Sequence, residues 1–482
     1  MLFNSLVFPI FLLTVWTLYV CLKHRAQNVM LLAASYVFYG WWDWRFLGLL
    51  YISTITDYFA ALAIDFYGKE RRRAQRFLLI VTLAVNLGIL GFFKYFNFFA
   101  ESFTQLCTPL GFQPDFFTLN ILLPVGISFY TFQTMAYTID VYRGQEKACK
   151  NFVDFALYVA YFPGLVAGPI ERSTRLIPQL VRPRIIEPTM IYSGMQLILM
   201  GYFKKVFIAD GVAPIVNLCF SEPEFYGGFG LLLGVYLFVI QCYGDFSGYT
   251  DIARGVSRLF GIELCLNFRQ PLLSTNIAEF WRRWHISMSM WFRDYVYFPL
   301  GGSRCSQRRA QTNTMVTMLI VGLWHGAALH FVVWGGLHGF CLVVQKMLLG
   351  ERKPNETTPW DKQGAGSLLR RLAGWSLRVF ITFNVISFVS IFLRAETCLD
   401  AFRMIGRIVQ GGFLHAETPA LYFVVYGLCV LAVDLPCAIR NSEVPFDERW
   451  GSLGKGFAYA AILFLMLCIG ENGVQPFIYF QF

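Results

Sequence analysis

The stretch that decides the fold is TNTMVTMLIVGLWHGAALHFVVWGGLHGFCLVVQ, residues 312–345, which contains no Asp, Glu, Lys or Arg. As one straight helix it would extend about 51 Å, against a bilayer hydrocarbon core of roughly 30 Å. Five glycines interrupt it: Gly322, Gly326, Gly335, Gly336 and Gly339. Basic residues flank both of its ends. The stretch therefore predicts a broken helix or a hairpin within a membrane.

The composition of the whole chain agrees with a membrane protein. It has 482 residues, of which 56% are hydrophobic and 15% are charged, whereas soluble domains carry roughly 25% charged residues. Long apolar runs recur along the sequence, and they predict an all-α polytopic membrane protein. The first run, residues 2–22, lacks a basic leader and a small-residue cleavage site, which favours a retained span over a signal peptide.

Charge and cysteine usage exclude several classes of protein. The net charge is +10, but the basic residues cluster in short loops between apolar runs, as in cytoplasmic loops. No basic stripe is interleaved with base-stacking aromatics, so nucleic-acid binding is not expected. The 12 cysteines include no CxxC spacing, which supports neither a zinc site nor a disulfide framework.

Hydropathy and basic loops predict about ten full spans plus re-entrant helices, with both termini outside. The predicted spans are 2–22, 29–42, 46–64, 77–99, 119–141, 190–206, 227–243, 375–393, 421–435 and 457–469. The loop 101–118 should face outward, segment 152–170 should be re-entrant, and 245–309 should hold only cytoplasmic-side and re-entrant helices. We expect one domain, 1–482, with N-terminal spans (1–150), a core (151–350), a polar loop (351–371) and C-terminal spans (372–482).

His325 is the most informative single residue, because ionisable groups at hydrocarbon depth are costly and usually functional. A neutral imidazole suits such a position, and modest shifts of its pKa make it a proton acceptor. Flanking glycines allow close approach of a substrate, and Trp324 offers a rigid wall. A satisfied core histidine is the alternative. His330 and His338 do not share one helical face with His325, so a metal site from this run is not expected.

Residues 245–295 hold the densest set of polar side chains. A membrane-interface belt explains the aromatic residues and some of the arginines, but not four carboxylates among apolar neighbours. These are Asp245, Asp251, Glu279 and Asp294. Buried carboxylates need partners, and an ion-pair network with Arg254, Arg282, Arg283 and Arg293 is the expected role for most. His285 is open between a structural and a functional role. Nucleotide-binding loops and serine elbows are missing from the sequence, which favours direct group transfer or transport.

Several motifs occur in a characteristic order. They are Asp245-Phe246-Ser247-Gly248-Tyr249, Glu279-Phe280-Trp281-Arg282-Arg283-Trp284-His285-Ile286-Ser287, Arg293-Asp294-Tyr295, Pro299-Leu300-Gly301-Gly302 and Gly322-Leu323-Trp324-His325-Gly326. In this order they resemble the membrane-bound O-acyltransferases, especially the bacterial alginate O-acetylation branch. The resemblance covers about the first 340 residues. The chain departs from the common pattern at Leu329-His330, where relatives usually carry Trp-Thr.

The resemblance implies a bundle of the membrane-bound O-acyltransferase type in which His325 is catalytic and His285 is a second catalytic candidate. It also implies a substrate-binding set without a metal: Trp324, Asp245, Ser247, Trp281, Arg282, Arg283, Trp284, Arg293 and Asp294. The arginines near the two tryptophans at 281 and 284 are expected to attract the phosphates of coenzyme A.

The implied activity is O-acetyl transfer in the bacterial inner membrane. Acetyl-CoA would donate from the cytoplasm, with no bound cofactor, and a periplasmic acetyl-transfer protein would complete the reaction. The acceptor would be a cell-surface polysaccharide such as alginate, or peptidoglycan. Acylation of a lipid or protein is a variant of this reaction. A transporter or flippase for a polysaccharide or lipid precursor is the alternative from another class, motivated by the many spans.

Overall fold

The computed structural model describes residues 1–108, 124–166, 168–350, 360, 367–446, 448–468 and 477. The described residues form helices and connecting turns, with no strand among them, which confirms the predicted all-α class. The helices are α1 (Val7–Cys21), α2 (His24–Asp43), α3 (Leu47–Tyr67), α4 (Arg72–Leu90), α5 (Phe96–Cys107), α6 (Ile127–Arg143), α7 (Phe152–Ala160), α8 (Phe162–Leu165), α9 (Ser173–Val181), α10 (Pro188–Tyr202), α11 (Asp210–Ser221), α12 (Gly228–Leu259), α13 (Ile277–Arg283), α14 (Ile286–Phe292), α15 (Gln307–His325), α16 (Leu329–Leu349), α17 (Leu368–Arg394), α18 (Cys398–Gln410), α19 (Glu417–Arg440) and α20 (Gly451–Cys468).

The first of two compact units comprises Met1–Ile198 and Thr250–Cys265. Its interior contains a buried carboxylate, Asp57 of α3. Asn86 Nδ2 donates to one carboxylate oxygen at 2.7 Å, and Thr138 Oγ1 donates to the other at 2.8 Å. Because a buried polar group costs free energy unless it is hydrogen-bonded, these contacts tie α3 to α4 and α6.

The second unit comprises Leu199–Tyr249 and Leu266–Phe482, and it contains every candidate site residue. It contains an antiparallel hairpin of α15 and α16, joined at residues 326–328. The helices touch through two glycines: a Cβ atom on Gly322 would lie 2.3 Å from the Phe331 carbonyl oxygen, and one on Gly335 would lie 2.2 Å from the Met318 carbonyl oxygen. The predicted break in residues 312–345 is confirmed, and His325 is the last residue of α15.

Among the described residues, seven helical segments are long and apolar enough to cross a membrane: His24–Tyr67, Arg72–Ala100, Gly228–Leu259, Leu329–Leu349, Leu368–Arg394, Glu417–Arg440 and Gly451–Cys468. The first covers the two predicted spans 29–42 and 46–64. The predicted spans 2–22, 119–141 and 190–206 overlap α1, α6 and α10, whose 15, 17 and 15 residues are fewer than the 18 that a candidate span needs. Residues 119–123 of the second of these spans lie outside the described residues.

Three boundaries differ from the predictions. The span predicted to end at 243 continues as α12 to Leu259, because the acidic side chain of Asp245 is paired with a lysine and does not end the helix. Residues 101–107 of the predicted loop 101–118 belong to α5, while 109–118 lie outside the described residues. Most of the predicted loop 351–371 also lies outside them, but its end is helical, since Ser367 caps α17 by accepting from the backbone N–H of Arg370.

Candidate active site

His325 lies at the end of α15 between two indole rings. Its side chain is buried, with 3% exposed. Its ring centroid is 4.8 Å from that of Trp324 and 4.7 Å from that of Trp334, and both contacts are edge-to-face. Aromatic contacts of this geometry hold a ring in one orientation. The hairpin brings the second tryptophan to His325 from α16, nine positions along the sequence.

The aromatic contacts continue on both sides of His325 and include two further histidines. On one side His338 packs against Trp334 at 4.8 Å and against Trp281 at 5.1 Å. On the other side His285 lies 6.0 Å from Trp324. Three buried imidazoles therefore alternate with tryptophan rings in one cluster, formed by residues of α13, α15 and α16 and the segment before α14. His338, which was not among the predicted site residues, belongs to this cluster.

The polar atoms of this cluster are only partly satisfied within the protein. Trp281 Nε1 and His338 Nδ1 are buried and find no hydrogen-bond partner among the described residues. The same holds for Ser247 Oγ on α12, whose side chain is fully buried. Native proteins hydrogen-bond most buried polar groups, so these donors and acceptors are candidates for contacts with a bound substrate.

His285 has an unusual backbone conformation. It precedes α14 as its N-terminal cap, with φ +43° and ψ 56°, in a region that residues other than glycine rarely adopt. Its Nδ1 lies 3.1 Å from Asn267 Oδ1, and the same oxygen accepts from the backbone N–H of Ser287 at 3.2 Å and its Oγ–H at 2.9 Å. Strained backbone of this kind concentrates at functional sites. Trp284, which precedes His285, is buried against Phe268 and Phe280.

Asp245 forms an ion pair inside the second unit. Lys205 Nζ lies 2.6 Å from Asp245 Oδ1 and 2.7 Å from Asp210 Oδ1, and all three side chains are almost fully buried. The lysine belongs to a π-helical turn, Phe203–Ala209, that packs against α12 where Gly248 leaves room for its backbone. This lysine was not among the expected partners of Asp245. No motif in the sequence pairs Lys205 with Asp245.

Several of the remaining carboxylates and arginines pair with one another. Glu279 pairs with Arg283 at 2.6 Å, one helical turn away, and Asp294 pairs with the adjacent Arg293 at 2.7 Å. Both belong to the expected ion-pair network, which is confirmed for them. Arg254 pairs with Glu263 in the first unit. Arg282 is exposed on α13. Its role in donor binding stays a prediction, as do those of the other substrate-binding candidates.

His330 is engaged elsewhere, since its Nδ1 lies 2.8 Å from the backbone oxygen of Phe392 in α17. A carbonyl oxygen only accepts, so Nδ1 carries the hydrogen.

In the described parts of the chain no group of three or more His, Cys, Asp or Glu side chains is arranged to hold a metal ion. The site offers buried imidazoles packed against aromatic rings. This arrangement suits abstraction of a proton from a hydroxyl in a place that excludes water.

Comparisons with known proteins give a consistent picture. The sequence model described as the membrane-bound O-acyltransferase family matches residues 149–390. A probable alginate O-acetylase of Pseudomonas putida is 39% identical over the whole length of both chains. One from Azotobacter vinelandii is 43% identical over 74% of this chain and 71% of its own. A peptidoglycan O-acetyltransferase of Helicobacter pylori is 30% identical over 100% of this chain and 98% of its own.

Proposed function

Because the chain belongs to the membrane-bound O-acyltransferase family, and is thus an O-acyltransferase, we propose that it moves an acetyl group from acetyl-CoA towards a surface polysaccharide, with His325 as the general base. The observation that carries this proposal is the placement of His325, buried at the end of α15 between two tryptophan rings. Family membership favours the enzyme over the transporter alternative.

The chemistry proposed for the site is one displacement at a thioester. An acceptor hydroxyl attacks the acetyl carbonyl carbon while an imidazole nitrogen of His325 takes its proton. The carbon–sulfur bond then breaks, and the coenzyme A thiolate leaves and takes the proton from the imidazolium. The products are an acetyl ester and free coenzyme A, and the histidine is neutral again. General-base assistance of this kind contributes typically about 10²–10⁴-fold in rate.

The arginines of α13 support a donor with phosphate groups. Arg282 is exposed, and a guanidinium binds phosphate through charge-assisted hydrogen bonds. Arg283 pairs with Glu279 on the same helix. Within this proposal the exposed guanidinium of Arg282 contacts coenzyme A, and Arg283 orders α13. Acetyl-CoA is a substrate here, and no resident cofactor is needed.

The acceptor is proposed from the names of the relatives, which are alginate O-acetylases and a peptidoglycan O-acetyltransferase. Both polymers are displayed outside the cytoplasmic membrane, whereas acetyl-CoA is inside. We therefore place the chain in the inner membrane, with both termini outside, and infer that a periplasmic protein receives the acetyl group and completes the transfer. Alginate is the first candidate acceptor, and peptidoglycan is the second.

A deletion strain complemented with variants tests the proposal. Acetate released by mild alkali is measured separately from extracellular polysaccharide and from peptidoglycan. The wild-type gene should restore ester-linked acetate to one of the two polymers, which identifies the acceptor. His325→Ala should abolish it while the protein still accumulates in the membrane.

His415→Ala is the matched control, since it also removes one histidine, but from an exposed ring stacked on Phe225. This variant should restore acetate fully. The proposal fails if the wild-type gene restores ester-linked acetate to neither polymer, or if His325→Ala restores as much as wild type.

A further inference from the structure

The side chain of Asn267 determines which nitrogen of His285 carries a hydrogen. The backbone N–H of Ser287 can only donate, so the Asn267 atom that faces it at 3.2 Å is the amide oxygen. An amide oxygen can only accept, so His285 Nδ1, 3.1 Å from it, must be the donor. In a neutral imidazole with hydrogen on Nδ1, the basic nitrogen is Nε2.

We propose that Asn267 is a positioning residue of the acyl-transfer site: it fixes the tautomer and the orientation of His285, whose ring lies near Trp324, so that Nε2 is a hydrogen-bond acceptor. The proposal rests on the proposed function and assigns a role that the sequence motifs did not indicate. Through His285, Asn267 prepares a second acceptor for the hydroxyl proton or for an N–H group of the donor.

Backbone hydrogen bonds also hold Asn267 and His285 next to each other. Two backbone hydrogen bonds join the segment of Asn267 to that of His285: Arg269 N–H donates to Arg283 O at 2.9 Å, and Ile286 N–H donates to Asn267 O at 2.9 Å. They hold His285 in its left-handed conformation, which is strained for a residue other than glycine and persists only when the surroundings impose it. Both Asn267 and His285 are fully buried.

Aromatic rings pack around His285. Phe246 of α12 contacts the ring edge-to-face at 4.7 Å, Phe268 lies at 6.3 Å, and Trp324 of α15 lies at 6.0 Å. The ionisable residues adjacent in sequence to these contacts are Asp245, which pairs with Lys205, and His325. His285 lies outside the seven candidate spans, and burial lowers the pKa of its imidazole. The ring is therefore neutral near pH 7, as an acceptor must be.

The test compares Asn267→Asp and Asn267→Ala with wild type by measuring acetyl transfer as a function of pH. A carboxylate at 267 still accepts from Nδ1 but favours the imidazolium form of His285. Because the active ring is neutral, the acid limb of the profile should move upward by about one pH unit or more. Asn267→Ala removes the acceptor for His285 Nδ1, so that either ring nitrogen can carry the hydrogen. The rate should fall by at least about tenfold, since a wrong tautomer lowers the rate by up to about 10⁴-fold in other enzymes.

Asn276→Asp is the matched control. Asn276 also accepts a backbone N–H, from Glu279 at the start of α13, and its other side-chain hydrogen bonds join it to Thr275 and Gln345. This variant should keep the wild-type pH profile. The inference is overturned if Asn267→Asp leaves the acid limb unmoved, if Asn267→Ala keeps the full rate, or if His285→Ala does so. Absence of transfer by wild type overturns the proposed function itself, so the two failures are distinguishable.

Discussion

Gly335→Ala tests whether the close approach of α15 and α16 positions His325. A Cβ atom at 335 would lie 2.2 Å from the Met318 carbonyl oxygen and 2.9 Å from the Gly322 Cα. Ordinary contacts of a Cβ atom begin at 3.4 Å, so the two backbones must separate by 3.4 − 2.2 = 1.2 Å. Both obstacles are backbone atoms, which cannot rotate out of the way.

Two consequences are expected from this separation. Overpacking of this kind costs typically about 1–3 kcal/mol of stability. A displacement of about 1 Å at a catalytic group lowers the rate by on the order of 10²-fold. Trp334, the residue before Gly335, packs against His325, so the displacement reaches the site directly. The rate of acetyl transfer and the unfolding midpoint in denaturing detergent measure the two effects.

Gly336→Ala is the control at the neighbouring position. Its Cβ atom would meet only the flexible end of Leu319, at 3.2 Å, which is 3.4 − 3.2 = 0.2 Å too close. Alanine is also a better helix former than glycine by about 1 kcal/mol, so this variant should be as stable as wild type and active. A wild-type rate and midpoint for Gly335→Ala would refute the reasoning.

Three further predictions concern the same unit. Lys205→Met should lower the free energy of unfolding by about 3–5 kcal/mol, because it leaves Asp245 buried without its cation; an unchanged denaturation midpoint would contradict this. His330→Ala should lower the free energy of unfolding by about 1–3 kcal/mol, because the Phe392 carbonyl loses its donor. The transfer rate per folded molecule should stay close to wild type. Trp334→Ala should lower the free energy of unfolding by about 3–5 kcal/mol and remove most of the activity. Trp334→Phe keeps an aromatic ring on His325 and should retain more stability and more activity than Trp334→Ala. Rate assays and denaturation measure the two effects.

Much of the hairpin formed by α15 and α16 could be predicted because local rules determine it. Residues 312–345 are too long for one span and too rich in glycine for one straight helix, so the break and the position of His325 followed from the sequence. The pair of Glu279 and Arg283 is equally local, since the residues are one helical turn apart.

Other features depend on register between distant elements, which no local pattern reports. The partner of Asp245 lies 40 residues earlier, in a π-helical turn that hydropathy does not distinguish from an α-helix. The contact of Trp334 with His325 depends on the position of α16 along the axis of α15. The role of Asn267 depends on the positive φ of His285, which a motif of residue types does not encode.

The shortness of α13 and α14 has a consequence for biogenesis. Each has seven residues, about 10 Å of helix, which is a third of the hydrocarbon thickness. Neither segment can enter the bilayer as an independent span, so both must dock onto helices that are already inserted. His285 and Trp281 therefore reach their places only after translation has delivered α15 and α16. The enzyme becomes competent late in its synthesis, and chains truncated before the hairpin remain inactive even if they reach the membrane.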